Sequence, residues 1–362
     1  MAERCEMTIS GFCKCAPFVA AALSCLFQAT AALAQEASTQ TTDDPIAALI
    51  AEQARDDAAK AEASDLSVHY AEQAPHPDDL RPVAAPPPGV ARPAMWRVAD
   101  ADSEIFLLGT FHILPPNLKW RSNALLRASD QAETIWFEAE VDTPAAREKA
   151  MEILRARGLN PPGVTLSGLL SENDAAQLHA IAARLGLRME QLDRMRPWQA
   201  FLALSVQFIA SQGFEPGSGV ETVLLQEGRA RGRQLKFFET VEQQLGLFTS
   251  LDPETEKHLL SITLRDWDEQ SAEFEALFEA WRAGDVATID ALMNGTMRSE
   301  APDVYEKLIV ARNQAWAAKI AREMRGSGRT LVAVGAAHLV GADSVPAMLR
   351  AQGFEVTRYG AE

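Results

Sequence analysis

The chain has 362 residues, 47% hydrophobic and 23% charged. That composition excludes a fully disordered or fibrous protein and leaves room for one or two domains with a sizeable core. Thirty-four Lys and Arg against 50 Asp and Glu give a net charge of −16; a surface that acidic repels phosphate backbones and anionic lipid, which argues against nucleic acid as a partner and leaves peptides, small substrates and metals open.

Arg4 and Lys14 lead into an apolar stretch from Ala16 to Phe27, and Ala32-Leu33-Ala34-Gln35 follows as a small-x-small cleavage pattern. A basic start, a short apolar core and such an end predict a secretory signal peptide over residues 1–34. The apolar run falls short of the ~20 residues that a membrane-spanning helix needs. Ala22-Leu23-Ser24-Cys25 also resembles a lipid-attachment box with its Leu displaced by one position, so a lipoprotein is the weaker alternative. The expectation is an exported protein, periplasmic or secreted, with no transmembrane span after signal removal. All four cysteines (Cys5, Cys13, Cys15 and Cys25) lie in this segment. No disulfide, thiolate cluster or cysteine nucleophile therefore operates in the rest of the chain.

Residues 35–92 are poor in large apolar side chains and rich in Ala, Asp, Glu, Gln and Pro. Such a stretch buries too little to offset its ordering entropy and reads as a flexible linker, with a short helix expected around Pro45 to Ala63. The globular domain, 93–362, starts near Ala94-Met95-Trp96. Short apolar runs predict five buried strands: Glu104 to Leu108, Thr134 to Phe137, Gln234 to Phe238, Thr330 to Val334, and Phe354 to Tyr359. Long helical regions at 172–232 and 252–325 flank the third, the second opening at Asp252-Pro253-Glu254. The fold class is α/β: a small central sheet with a large helical insertion, neither a plain dinucleotide-binding domain nor a barrel.

Of six histidines, His69 and His76 fall in the linker, and His179 and His258 in polar helical stretches where solvated surface is expected. His112 and His338 share a context. Leu107-Leu108-Gly109-Thr110-Phe111-His112 and Ala333-Val334-Gly335-Ala336-Ala337-His338 each read strand, glycine, two residues, histidine. A glycine at a strand end permits a sharp turn or a close approach. The imidazole then stands at the sheet edge, where α/β proteins build their sites. The pair can converge if the two strands are neighbours; otherwise they are capping or core histidines. Glu138 ends the run Ile135-Trp136-Phe137, where a buried carboxylate is costly unless paired or metal-bound. Two His and one carboxylate make a workable divalent-metal set. Glu239 holds the matching place after Phe237-Phe238, as a fourth ligand, a general base or merely the residue before the next helix. Gly213-Phe214-Glu215-Pro216-Gly217-Ser218-Gly219 lacks a basic residue and reads as a hinge or helix entry, not a phosphate cradle.

These segments resemble the TraB/GumN family, which includes the Tiki proteases, over about Trp96 to Tyr359. The two G-x-x-H segments and Glu138 carry the resemblance. So do Arg196-Pro197-Trp198, Gly219-Val220-Glu221, Phe238-Glu239-Thr240 with Gln244-Leu245, and Arg312-Asn313. Gly219-Val220-Glu221 has Glu where the pattern usually has Asp. The resemblance implies a metal-dependent hydrolase with a fold related to erythromycin esterases and ChaN lipoproteins. Arg312 and Asn313 would bind substrate or hold the scaffold of the metal site. The resulting expectation is a peptidase in which His112, His338 and Glu138 hold Mn²⁺, Co²⁺ or Zn²⁺, and Glu138 or Glu239 assists proton transfer on a peptide or small-molecule substrate. The rival readings are a protein that binds a peptide or haem without cutting and a regulatory module with vestigial motifs.

Overall fold

The computed structural model describes residues 76, 79, 86–265, 267 and 269–360. The expected signal peptide, most of the expected linker and its short helix near Pro45 lie outside the described residues. Six strands form one sheet: β1 (Met95–Ala99), β2 (Ser103–Thr110), β3 (Thr134–Ala139), β4 (Gln234–Glu239), β5 (Gly328–Gly335) and β6 (Val356–Arg358). The order across the sheet is β4-β3-β5-β2-β1-β6. The first four in that order are mutually parallel, and β1 and β6 close one edge antiparallel. β2 and β5 are buried along nearly their whole length, as continuous apolar runs require when both faces of a parallel sheet are covered.

All five expected strands are present, the last shortened to three residues. β1 was not anticipated as a strand. Its pairing with β2 depends on a turn in which the Asp100 carboxylate accepts from the backbone N–H of Asp102 and Ser103, an Asx arrangement that reverses the chain locally.

The first helical region divides into α3 (Glu172–Leu185), α4 (Pro197–Ser211) and α5 (Val220–Ala230); α1 (Asn123–Gln131) and α2 (Pro144–Arg157), not read from the sequence, precede it. Gly186, with φ of 68°, caps the end of α3 in the left-handed conformation that favours glycine. Pro197 opens α4, whose Trp198, Phe201, Leu204, Phe208 and Ile209 are all buried. After β4 come α6 (Val241–Thr249), α7 (Pro253–Arg265) and α8 (Gln270–Ala283). Asp252 accepts from the N–H of Glu254 and Thr255, which caps α7 at the expected start. Beyond α8 the helical path contains two π-turns, Asp290–Gly295 and Glu306–Val310, before α9 (Ala311–Glu323); α10 (Val345–Ala351) precedes β6. No helix among the described residues is long and apolar enough to cross a membrane.

The expected linker does not run free to residue 92. Val90 bridges Lys119, the Ala91 N–H donates to the Lys119 carbonyl at 2.7 Å, and that of Arg92 donates to Arg282 at 2.6 Å. Further upstream, Asp79 accepts from the Trp96 indole at 2.8 Å and pairs with Arg350 at 2.7 Å. Composition does not reveal this docking, because it rests on backbone hydrogen bonds and one carboxylate, with only small apolar side chains such as Ala91 buried.

Candidate active site at the ends of four parallel strands

The parallel register brings the two glycine–histidine motifs side by side. Gly109 of β2 pairs with Val334 of β5, and Thr110 with Gly335, so His112 and His338 leave neighbouring strands at the same sheet edge. β3 lies on the other side of β5 with Phe137 opposite Ala333, and β4 beyond it with Ala139 opposite Glu239. Four adjacent strand ends therefore present, in spatial order, Glu239, Glu138, His338 and His112. β5, last of the parallel strands in the chain, is inserted between β3 and β2, the kind of reversal at which open α/β sheets place their sites.

The glycines have distinct duties. A Cβ on Gly335 would stand 3.1 Å from both Glu138 Oε1 and His112 Nε2, so a side chain there would intrude between them. A Cβ on Gly219, the residue before α5, would overlap the His112 carbonyl oxygen at 1.8 Å. The Gly213–Gly219 segment is thus a helix entry whose last residue lets α5 approach the histidine. That approach delivers Glu221 from the first turn of α5: its Oε1 lies 2.6 Å from His112 Nδ1 and also accepts from the Thr110 hydroxyl.

His338 is buried, its ring 4.3 Å from that of Trp316. The Asn313 amide N–H donates to the Asp343 carbonyl at 2.7 Å, so Asn313 Oδ1 is the acceptor for His338 Nδ1 at 2.6 Å. His338 therefore carries its proton on Nδ1, and Nε2 accepts from Arg312 Nη1 at 3.1 Å. Arg312 is the hub. Its Nη2 donates to Glu138 Oε2 at 2.7 Å, its Nε and Nη2 to Glu239 at 2.8 and 3.0 Å, and its Nη1 also to the Leu308 carbonyl. The Trp316 indole donates to Glu239 at 3.0 Å, and the guanidinium lies 4.6 Å from the Trp316 ring centre. Glu138 Oε1 accepts from the Gly335 N–H at 2.8 Å and faces His112 Nε2 across 4.0 Å.

The electrostatics follow from these contacts. Burial opposes the charged form of Glu138, but Arg312, His338, His112 and the Gly335 N–H outweigh it and hold the carboxyl down at about 2. Burial likewise opposes protonation of His112; the charge and hydrogen bond of Glu221, with Glu138 behind, overcome it and raise His112 to about 8. For His338 burial and Arg312 act together and push it down to about 3. Two buried histidines with the same motif are thus shifted in opposite directions, because Glu221 faces one and Arg312 the other.

The donor chemistry suits a divalent ion in one respect. Each imidazole has Nδ1 tied to an oxygen and Nε2 turned inward, the arrangement that orients metal-bound histidines. Two buried acceptors at the site, Glu221 Oε2 and Gln244 Oε1, lack a hydrogen-bond partner, which a hydrated cation would satisfy. Yet among the described residues no three His, Cys, Asp or Glu side chains are grouped to hold an ion: the guanidinium of Arg312 stands between His338 and Glu138. Both Arg312 and Asn313 are buried and bonded inward to site residues. Exposed His179 and His258 lie apart from the site, in α3 and α7.

Three contributors were not singled out as site residues: Glu221, Gln244, whose amide donates to Glu138 at 3.4 Å, and Trp316. Glu221 and Gln244 sit in segments that carry the family resemblance, which was their only signal; Trp316 follows Arg312 by one helical turn. A pocket opens beside the cluster, its polar end formed by Thr110, His112, Arg312 and His338 and the remainder apolar.

Comparison with known proteins gives the family. The family model described as "TraB/PrgY/gumN family" matches residues 94–358, a span that contains every site residue above. The chain is 26% identical over 261 residues to the uncharacterized protein YbaP of Escherichia coli strain K12, covering 71% of this chain and 92% of that protein. It is 27% identical over the same length to the uncharacterized YbaP of Shigella flexneri, with the same coverage. The chain belongs to the TraB/PrgY/gumN family.

Proposed function

We propose that this protein is an exported, metal-dependent hydrolase, a peptidase by preference, with a fold akin to that of the erythromycin esterases and ChaN lipoproteins. One observation carries the reading: four parallel strand ends gather His112, His338, Glu138 and Glu239 on one crest, with Nδ1 of both imidazoles tied and Nε2 inward. His112, His338 and Glu138 would hold Mn²⁺, Co²⁺ or Zn²⁺, which when bound polarises a carbonyl and acidifies a water. The residues supply the rest. Glu221 and Asn313 hold the two imidazole rings, and Glu239 with Trp316 anchors Arg312. Glu138 or Glu239 would assist transfer of the proton from an attacking water to the departing amine. The signal-like start of the chain supports export, to the periplasm or beyond.

That no three ligand side chains are grouped among the described residues favours a second reading, in which the cleft binds a peptide or a haem-like ligand without cutting it. Metal content by mass spectrometry, with a His112→Ala/His338→Ala double variant beside the wild type, separates them. Near-stoichiometric metal that the variant loses supports the hydrolase. No uptake after addition of Mn²⁺, Co²⁺ or Zn²⁺ removes it, and a Soret band on haem titration, lost in the variant, then supports the second.

A further inference from the structure

The pocket beside the site is built of two unlike parts. At one end stand His112, Arg312 and His338; the walls are Phe111, Trp281, Ile289, Met293, Leu308 and Ile309, each buried. Met293 belongs to the first π-turn, and Leu308 and Ile309 to the second. π-turns inside α-helices occur often at functional sites. The walls on α8 and the first π-turn are fastened to the motif backbones. The Trp281 indole donates to the Gly109 carbonyl at 3.0 Å, and the Asn294 amide donates to the carbonyls of Ala337 and Val340 at 3.0 and 3.2 Å. The walls therefore keep register with His112 and His338. The cavity volume is about 30 Å³, room for about two waters, and its apolar sides give water or a charged head few partners.

We infer that this cavity receives a short aliphatic group of roughly one to three carbons, carried by the substrate next to the bond that is cut, while the polar end meets the adjoining carbonyl. The cut rests on the hydrolase reading; the binding does not. Aromatic and long aliphatic groups exceed the space, and a lysine or carboxylate loses its hydration without compensation. Met293, an unbranched side chain on a π-turn, is one of the lining residues that bound the space.

The test uses the full chain labelled with ¹³C at its methionine methyls and titrated with acetamide, propionamide, butyramide and hexanamide. The Met293 methyl signal, identified by its loss in Met293→Ala, should shift saturably. Affinity should rise about fourfold per methylene to butyramide and fall at hexanamide. In Met293→Ala, or Leu308→Ala if circular dichroism shows the first to be misfolded, the preference should move to hexanamide, read in the first from leucine and isoleucine methyls labelled alongside and in the second from Met293. In parallel, the metal-loaded chain is assayed on peptides that differ in one residue: alanine, valine or phenylalanine. Cleavage favouring alanine and valine, with the shift, supports both claims. Chain-length-dependent binding without cleavage sinks the hydrolase reading and leaves this inference standing. Cleavage without side-chain preference and without a Met293 shift overturns the inference alone, as does an affinity that ignores chain length.

Discussion

Replacing Arg312 by methionine keeps most of the side chain's apolar length and removes its charge. The guanidinium is buried and bonded to Glu138, Glu239, His338 and the Leu308 carbonyl. Deleting one partner of a buried ion pair leaves the other uncompensated, at about 3–5 kcal/mol. Arg312, with His338, His112 and the Gly335 N–H, holds Glu138 from 4.5 down to about 2 against burial, a net effect which at 1.36 kcal/mol per pH unit is on the order of 3 kcal/mol at pH 7. The sign is fixed by the direction. A depressed carboxyl contributes stability that is full above its unfolded value and is lost as pH falls through its folded value, here the window from 4.5 towards 2. In Arg312→Met the carboxyl loses its largest attraction while burial remains, so it protonates at higher pH and the deficit shrinks on acidification. Urea unfolding followed by tryptophan fluorescence measures this. With a slope of roughly 2–3 kcal/mol per M, the midpoint at pH 7 should fall by roughly 1–2 M. A loss below ~1 kcal/mol at pH 7, or one that persists undiminished at pH 4, refutes the view that Arg312 neutralises the carboxylate pair.

Glu221→Gln should bring the His112 midpoint down from about 8 to 6.5 or below, because burial then acts without its main opponent; imidazole NMR titration reads this, and an unmoved midpoint counts against the pairing. The same variant should lose the extra stability that a raised histidine gives, present below pH 6.5 and gone as pH rises through 8. Gly219→Ala should disrupt the site far more than Gly109→Ala, since the added methyl meets the His112 carbonyl at 1.8 Å in one case and Ala336 at 3.3 Å in the other; equal thermal midpoints would contradict this. His338→Ala should cost about 1–3 kcal/mol by leaving Asn313 Oδ1 without its donor, and more than His112→Ala, whose side chain is 16% exposed; comparable urea midpoints would overturn the ranking.

Much of the sheet was legible because its central strands are buried on both faces. Runs such as Leu331-Val332-Ala333-Val334 announce themselves without alternation. β1 was not, since exposed Arg97 interrupts its short run and its pairing needs the Asp100 turn. The docking of residues 79 and 86–92 was equally invisible, because backbone hydrogen bonds leave no compositional trace.

At the site, the chain alone names the chemistry-bearing types. His112 and His338 share a motif, and Glu138 and Glu239 each end a strand, which puts all four at strand ends. What they do to one another was decided in three dimensions. Adjacency of β2, β5, β3 and β4 is a matter of sheet order, which depends on how far-separated segments pack. The opposite proton affinities of His112 and His338 come from Glu221, Arg312 and burial, partners 109 and 26 positions away along the chain that no local pattern connects to them. Charge interactions act through space and desolvation acts through packing, so residue identity and spacing fix which groups can react, and only the assembled fold sets their charge.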